Sequence, residues 1–147
     1  MRITYRGDYA LKTILELALH YGEEPAATIT ELAKRLDIPT KFLEQILLDL
    51  KRGRFVESRR GSVGGYFLAK APSEIKLGEV VRFIDGSVEP IACVSKEYSG
   101  CRDMGTCAFK DIWYEVNKAT SKIIDNITFE DLVKRTKKTS AVSTYQI

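Results

Sequence analysis

Histidine is almost missing from this chain of 147 residues, where His20 stands alone. A Ser-His-Asp or Cys-His catalytic set would have to be built around that one imidazole, and nothing in the sequence supports one. Enzyme function is therefore not expected. Long apolar runs are missing too: stretches such as Ile46-Leu47-Leu48 last a few residues, whereas a membrane span needs about 18 or more. Met1 to Asp8 carry positive charge with no apolar segment or small-residue cleavage site behind them, so a cytoplasmic protein with no membrane partner is expected. Gly61 to Gly65 lie between two strand-like segments with no helix after them, which excludes P-loop and dinucleotide spacing. No C-x-x-C pair, internal repeat or low-complexity tract occurs.

What the chain does have is enough apolar content, 44%, to bury a core in one globular unit. Its net charge of +3 is too small to name a partner, so the distribution matters more. Between Lys51 and Arg60 five basic residues (Lys51, Arg52, Arg54, Arg59, Arg60) face one acid, Glu57, and form a local basic stripe.

Apolar spacing predicts a helix from Asp8 to Tyr21, with Leu11, Ile14, Leu15, Ala18 and Leu19 on one side. Thr28 and Glu31 have capping-box spacing ahead of a short helix through Leu32, Ala33 and Leu36. After a turn at Asp37 to Thr40, with Pro39 suited to a first helical turn, a second helix runs to about Arg52 on a core face of Leu43, Ile46, Leu47 and Leu50. This is helix-turn-helix geometry. Phe55 to Arg59 and Tyr66 to Ala69 read as strands joined by the loop Arg60-Gly61-Ser62-Val63-Gly64-Gly65, a hairpin wing beside the helices. A short helix follows from Leu77 to Asp85.

Periodicity then fails between Gly86 and Thr106, a length that points to a functional loop, and the cysteines begin there with Cys93. From Phe109 to Asn126 an apolar stripe of Phe109, Ile112, Trp113, Val116, Ile123, Ile124 and then Ile127 is more than one small domain can cover, so a second copy of the chain is the expected partner. Packing against its own winged domain is the alternative. Thr128 to Asp131 predict a cap for a last helix, with a basic, frayed tail from Lys134 onward. The expected fold class is mainly α with a small β-hairpin: a winged helix-turn-helix plus a long dimerisation helix. The expected division is a winged DNA-binding domain at 1–85, a cysteine loop at 86–108, and a dimerisation helix with C-terminal helix and tail at 109–147.

This order of elements predicts binding to double-stranded DNA. Thr40, Lys41 and Gln45 open the helix that would enter a major groove, with Gln suited to adenine and Lys to guanine. Arg59, Arg60 and Ser62 belong to the wing, where the arginines would reach phosphate or the minor groove and Gly64 lets the backbone approach closely. Each charge taken singly is also consistent with a solvated surface. Cys93, Cys101 and Cys107 give C-x7-C-x5-C. A disulfide would leave one thiol over, and zinc takes four ligands at paired spacings. Two readings stay open: an iron–sulfur cluster completed by a non-cysteine ligand, or three ordinary cysteines without metal.

The sequence resembles the bacterial winged-helix regulators that include the iron–sulfur regulator IscR and the nitric-oxide-responsive repressor NsrR. The likeness runs through Met1 to Thr4 with Gly7 to Ala10, Ile38 with Phe42 to Gln45, Arg60-Gly61 with Gly64 to Tyr66, Gly78 to Val80, the three cysteines, and Asn126 to Thr128. The resemblance implies a homodimer with crossed long helices and a cluster of the two-iron or four-iron type on Cys93, Cys101 and Cys107. In the IscR branch a histidine three positions after the last cysteine completes the site, and here Lys110 stands there. In the NsrR branch an aspartate from the partner subunit does so, and Asp8 stands at the matching position, where an ordinary N-cap is the other reading. The seven-residue first gap departs from the five usual in both branches. Pro39, Lys41 and Phe42 replace two serines and a tyrosine of IscR, so a different operator is expected.

Overall fold

A computed structural model describes residues 1–144. Six helices and one two-stranded sheet follow in the order α1 (Tyr5–Leu19), α2 (Ile29–Leu36), α3 (Thr40–Arg52), β1 (Val56–Arg59), β2 (Gly65–Leu68), α4 (Leu77–Asp85), α5 (Lys110–Ile124) and α6 (Phe129–Thr144). Short 3₁₀ turns occur at Pro72–Glu74 and Ala92–Val94. This is the mainly helical, winged architecture expected from the sequence.

One core joins α1, α2, α3, the hairpin and the first turn of α6. Ala10, Ile14, Leu32, Leu43, Leu47, Leu50 and Phe129 are all wholly buried in it. The capping box forms at α2 as expected: the Thr28 hydroxyl accepts from the Glu31 N–H while the Glu31 carboxylate accepts from the Thr28 N–H at 2.8 Å. The strands pair antiparallel, Val56 with Leu68 through Arg59 with Gly65, and the Tyr66 N–H reaches the Ala27 carbonyl at 2.8 Å, docking the wing onto the loop before α2.

Three of the boundaries that differ from expectation have a clear structural cause. Helix α1 starts at Tyr5, because the Thr4 side chain accepts from the Gly7 N–H and caps it, so Asp8 lies inside the first turn and is not the N-cap. Pro39 is the N-cap of α3 and stands one residue outside the helix. Helix α6 does not fray at Lys134 but continues to Thr144. Its start is tied down by Phe129 in the core and by a Phe129 N–H to Ile75 carbonyl bond of 3.0 Å.

Candidate nucleic-acid interface and cysteine segment

Burial of Leu43, Ile46, Leu47 and Leu50 fixes which side of α3 faces inward. Thr40, Lys41, Phe42, Glu44 and Gln45 are consequently exposed. Lys41 and Gln45, four apart, share a face. No side chain caps α3, so its first-turn N–H groups point outward without a protein side-chain partner, a favourable place for phosphate oxygens. The Arg6 guanidinium of α1 pairs with Asp49 on α3, and Lys51 donates to the Ser58 hydroxyl of β1 at 2.6 Å. These two contacts tie the helix to α1 and to the wing. Sequence reasoning missed the first of them, because the partners are 43 positions apart and neither belongs to a motif.

In the wing, Arg60 and Ser62 are exposed, and Arg60 makes no ion pair among the described residues. Arg59 is in a different state. It pairs with Glu24 at 3.3 Å and lies 5.3 Å from the centre of the Phe67 ring, so it must leave Glu24 before it can serve a phosphate. Gly64 is required by close approach, since a Cβ there would sit 2.3 Å from the Arg59 carbonyl oxygen. The tip therefore combines close-packed glycine backbone with the exposed side chains of Arg60, Ser62 and Val63.

The cysteine segment is built differently. Between Gly86 and Phe109 the single buried residue is Val88, which packs with Val81 of α4 and Ile124 of α5. Cys93, Cys101 and Cys107 are half-buried free thiols. Among the described residues no group of three or more His, Cys, Asp and Glu lies close enough together to hold a metal ion, so the trio and Asp8 are not gathered within one chain. Asp8 accepts from Lys12 at 2.6 Å, and that hydrogen bond, followed by the Asp8 charge, raises the Lys12 ammonium above its ordinary pKa. Lys110, at the position of the family histidine, donates to the Met104 carbonyl at 3.4 Å.

At its root the segment touches the winged body. Asp85, the last residue of α4, accepts from the Thr4 N–H at 3.0 Å and from the Thr4 hydroxyl at 2.5 Å. It presses so close to α1 that a Cβ on Gly7 would lie 2.0 Å from its carboxylate oxygen. Beyond the segment, α5 presents an apolar stripe to solvent, with Phe109 61% and Ile123 62% exposed and Ile112, Trp113 and Val116 between them. No helix among the described residues is long and apolar enough to cross a membrane.

A buried-faced helix-turn-helix with a glycine-tipped basic wing defines a winged-helix DNA-binding regulator. The chain belongs to the Rrf2 family, described as iron-dependent transcriptional regulators, whose sequence model matches residues 3–135. It is 40% identical over 137 residues to an rrf2-like HTH-type transcriptional regulator of Rhodobacter capsulatus, covering 89% of this chain and 91% of that one. It is 36% identical over 133 residues to the HTH-type transcriptional regulator IscR of Serratia proteamaculans, covering 90% and 79%. Its fold is similar to that of CymR, the global cysteine regulator of B. subtilis, with a TM-score of 0.77 at 27% identity over 92% of this chain and 98% of that one. The family is one of transcriptional regulators and not of enzymes.

Proposed function

We propose that the chain works as a homodimeric, cytoplasmic operator-binding regulator whose hold on DNA follows the state of an iron–sulfur cluster. Cys93, Cys101 and Cys107 would hold the cluster, with Asp8 contributed by the second subunit. Free thiols on a segment with little regular structure are suitable donors, and Lys110, a charged donor already bonded to Met104, is not. The exposed stripe of α5 supports the dimer: a 15-residue helix is about 22 Å long, and its outward apolar face needs a partner of similar length. Thr40, Lys41 and Gln45 would face base edges, while Arg59, Arg60, Ser62 and Gly64 lie against the sugar–phosphate backbone. Two recognition helices roughly 34 Å apart would read a near-palindromic site.

One observation carries the reading. The cysteine segment is rooted at Asp85, which holds the cap of α1, and α1 holds α3 through Arg6 and Asp49. A bound cluster, lost on attack by oxygen, peroxide or nitric oxide, would supply the chemical sensitivity. The protein's own part is to convert order in the segment into a pose of α3. A hundredfold change in operator affinity needs only about 2.7 kcal/mol between the two poses.

Anaerobic purification tests this: a brown protein whose visible absorbance disappears in Cys101→Ser is expected, and a colourless protein with stoichiometric zinc overturns it. Arg60→Ala should weaken operator binding and lower the salt slope by about 1. Undiminished binding at physiological salt would remove the wing from the interface.

A second reading is favoured by the ungathered sulfurs and the likeness to a cysteine regulator. In it the thiols respond directly, with no cluster. It expects operator affinity to change on thiol oxidation in iron-free protein and to ignore cluster reconstitution.

A further inference from the structure

We propose that Phe42 reads the C5-methyl group of a thymine in the operator, beside the base pair faced by Gln45. The inference rests on the operator-binding reading above and adds to it a residue and the base that it selects.

Phe42 is out of place for folding. It precedes the wholly buried Leu43 by one residue, so the helical turn carries it off the core face, and it is 64% exposed. It is neither among the residues of the core nor among those packed against it. The one aromatic pair among the described residues is Phe55 with Phe83, so no ring covers Phe42. A large apolar side chain left in water on the first turn of α3 is free to meet a group outside the chain.

Its neighbours indicate that partner. Phe42 and Gln45 are three apart and adjacent on the helix surface, Lys41 is next in sequence, and all three are exposed. This is the N-terminal part of the helix, the part that meets base edges when a helix-turn-helix docks. Among the groups a base pair shows in the major groove, donors and acceptors predominate, and the thymine C5-methyl is the apolar one. A phenyl ring set against donors or acceptors would strip their water without replacing it. Set against the methyl, it removes apolar surface of both partners from water.

The test uses the full chain and the duplex it binds best from a randomised DNA pool. Thymines are replaced one at a time by deoxyuridine, which deletes only the methyl. At one position in each half-site the wild-type protein should lose about fourfold in affinity, the worth of one buried methyl. Phe42→Ala, which removes the ring from both subunits, should bind the thymine duplex about as the wild type binds a duplex replaced at that position in both half-sites, and should ignore the replacement. Phe42→Leu, which keeps an apolar reach, should restore part of the sensitivity. Unchanged circular dichroism and unchanged binding to an unselected duplex confirm that the variants are folded. Two results overturn the contact: no thymine position sensitive in the wild type, or Phe42→Ala as sensitive as the wild type at the same position. If the wild type selects no sequence from the pool, the operator-binding reading fails and takes this contact with it.

Discussion

The winged body and the cysteine segment satisfy their backbones by opposite means. In the body, helices are capped and cross-tied over long distances: Thr4 to Asp85, Phe129 to Ile75, and Tyr66 to Ala27. From Gly86 to Phe109 the backbone bonds are local, such as Val94 to Ile91, Tyr98 to Ser95 and Cys107 to Asp103, and Val88 is the lone buried anchor. Local unfolding free energy follows buried contact and long-range bonding, so the segment can rearrange at little cost while the body stays folded. A regulator needs that division: one part that holds a reading surface in shape, and another whose order a signal can change.

The sharpest way to break the comparison is to delete a side chain from each part. Phe129→Ala removes a wholly buried ring where α6 meets the core, and should cost about 3–5 kcal/mol. Cys107→Ser, in iron-free reduced protein, should change stability by no more than about 0.5 kcal/mol. Denaturant midpoints measure both. A serine variant as damaging as the alanine one would mean that the segment belongs to the body after all.

Next in size is the wing. Gly65→Ala places a Cβ 2.5 Å from the Ala27 carbonyl oxygen, at a φ of +156°. The hairpin would have to lift from the loop that docks it. A loss of about 1–3 kcal/mol is expected, with operator affinity falling alongside. A stability loss without an affinity loss would separate the wing's pose from DNA binding.

Much of this was legible in the sequence, and the misses share a cause. The α2–turn–α3 unit and the hairpin were readable because burial imposes period on Leu43, Ile46, Leu47 and Leu50, and because Thr28 with Glu31 is a local signal. The start of α1 was not. The apolar period begins only at Leu11, and Gly7 is a glycine because Asp85, 78 positions away, leaves no room for a Cβ. Helix α6 was cut short because only Phe129, Leu132 and Val133 near its start touch the core, and the later turns, with Lys137 and Lys138 exposed, carry no period. At the candidate site the exposed face of α3 was readable from the same period. How near the cysteines come to one another was not, because an irregular segment has no rule linking spacing to distance. Phe42 carried a signal that was available: an aromatic at a position where the helical period requires a solvent-facing residue.

Helix caps give a smaller effect with a pH signature. The Thr28 N–H, and then its hydroxyl, hold the Glu31 carboxyl below its ordinary range, and Thr128 does the same for Asp131 at the head of α6. A carboxylate held low in the folded chain stabilises it above the unfolded-chain pKa, and that contribution fades as pH falls through the lowered value. Thr28→Ala should cost about 1 kcal/mol at neutral pH. Glu31→Gln should flatten part of the stability loss between neutral and acid pH, seen as a smaller drop in Tm on acidification. An acid limb identical to the wild type would mean that the Glu31 bond contributes nothing to it.

The smallest expected effect lies where the two demands on the body meet, at the end of α3. The Phe55 N–H bonds to the Leu50 carbonyl at 2.9 Å and the Arg54 N–H to that of Lys51 at 3.0 Å, a Schellman closure. Such a closure puts its left-handed residue at Arg54, with φ +59°, where glycine is usual. Gly53 cannot trade places with it, because a Cβ at 53 would come within 2.7 Å of the Phe55 ring and 2.8 Å of the Phe83 ring. The chain therefore uses its glycine for close approach and accepts strain at an exposed arginine in the basic stripe. Arg54→Gly should raise stability by about 0.5–1 kcal/mol, the strain relieved less the entropy that glycine adds to the unfolded chain. If the arginine is there for phosphate, the same change should weaken operator binding and lower its salt slope by about 1. A more stable protein that binds as tightly would show that the strain serves no contact with DNA.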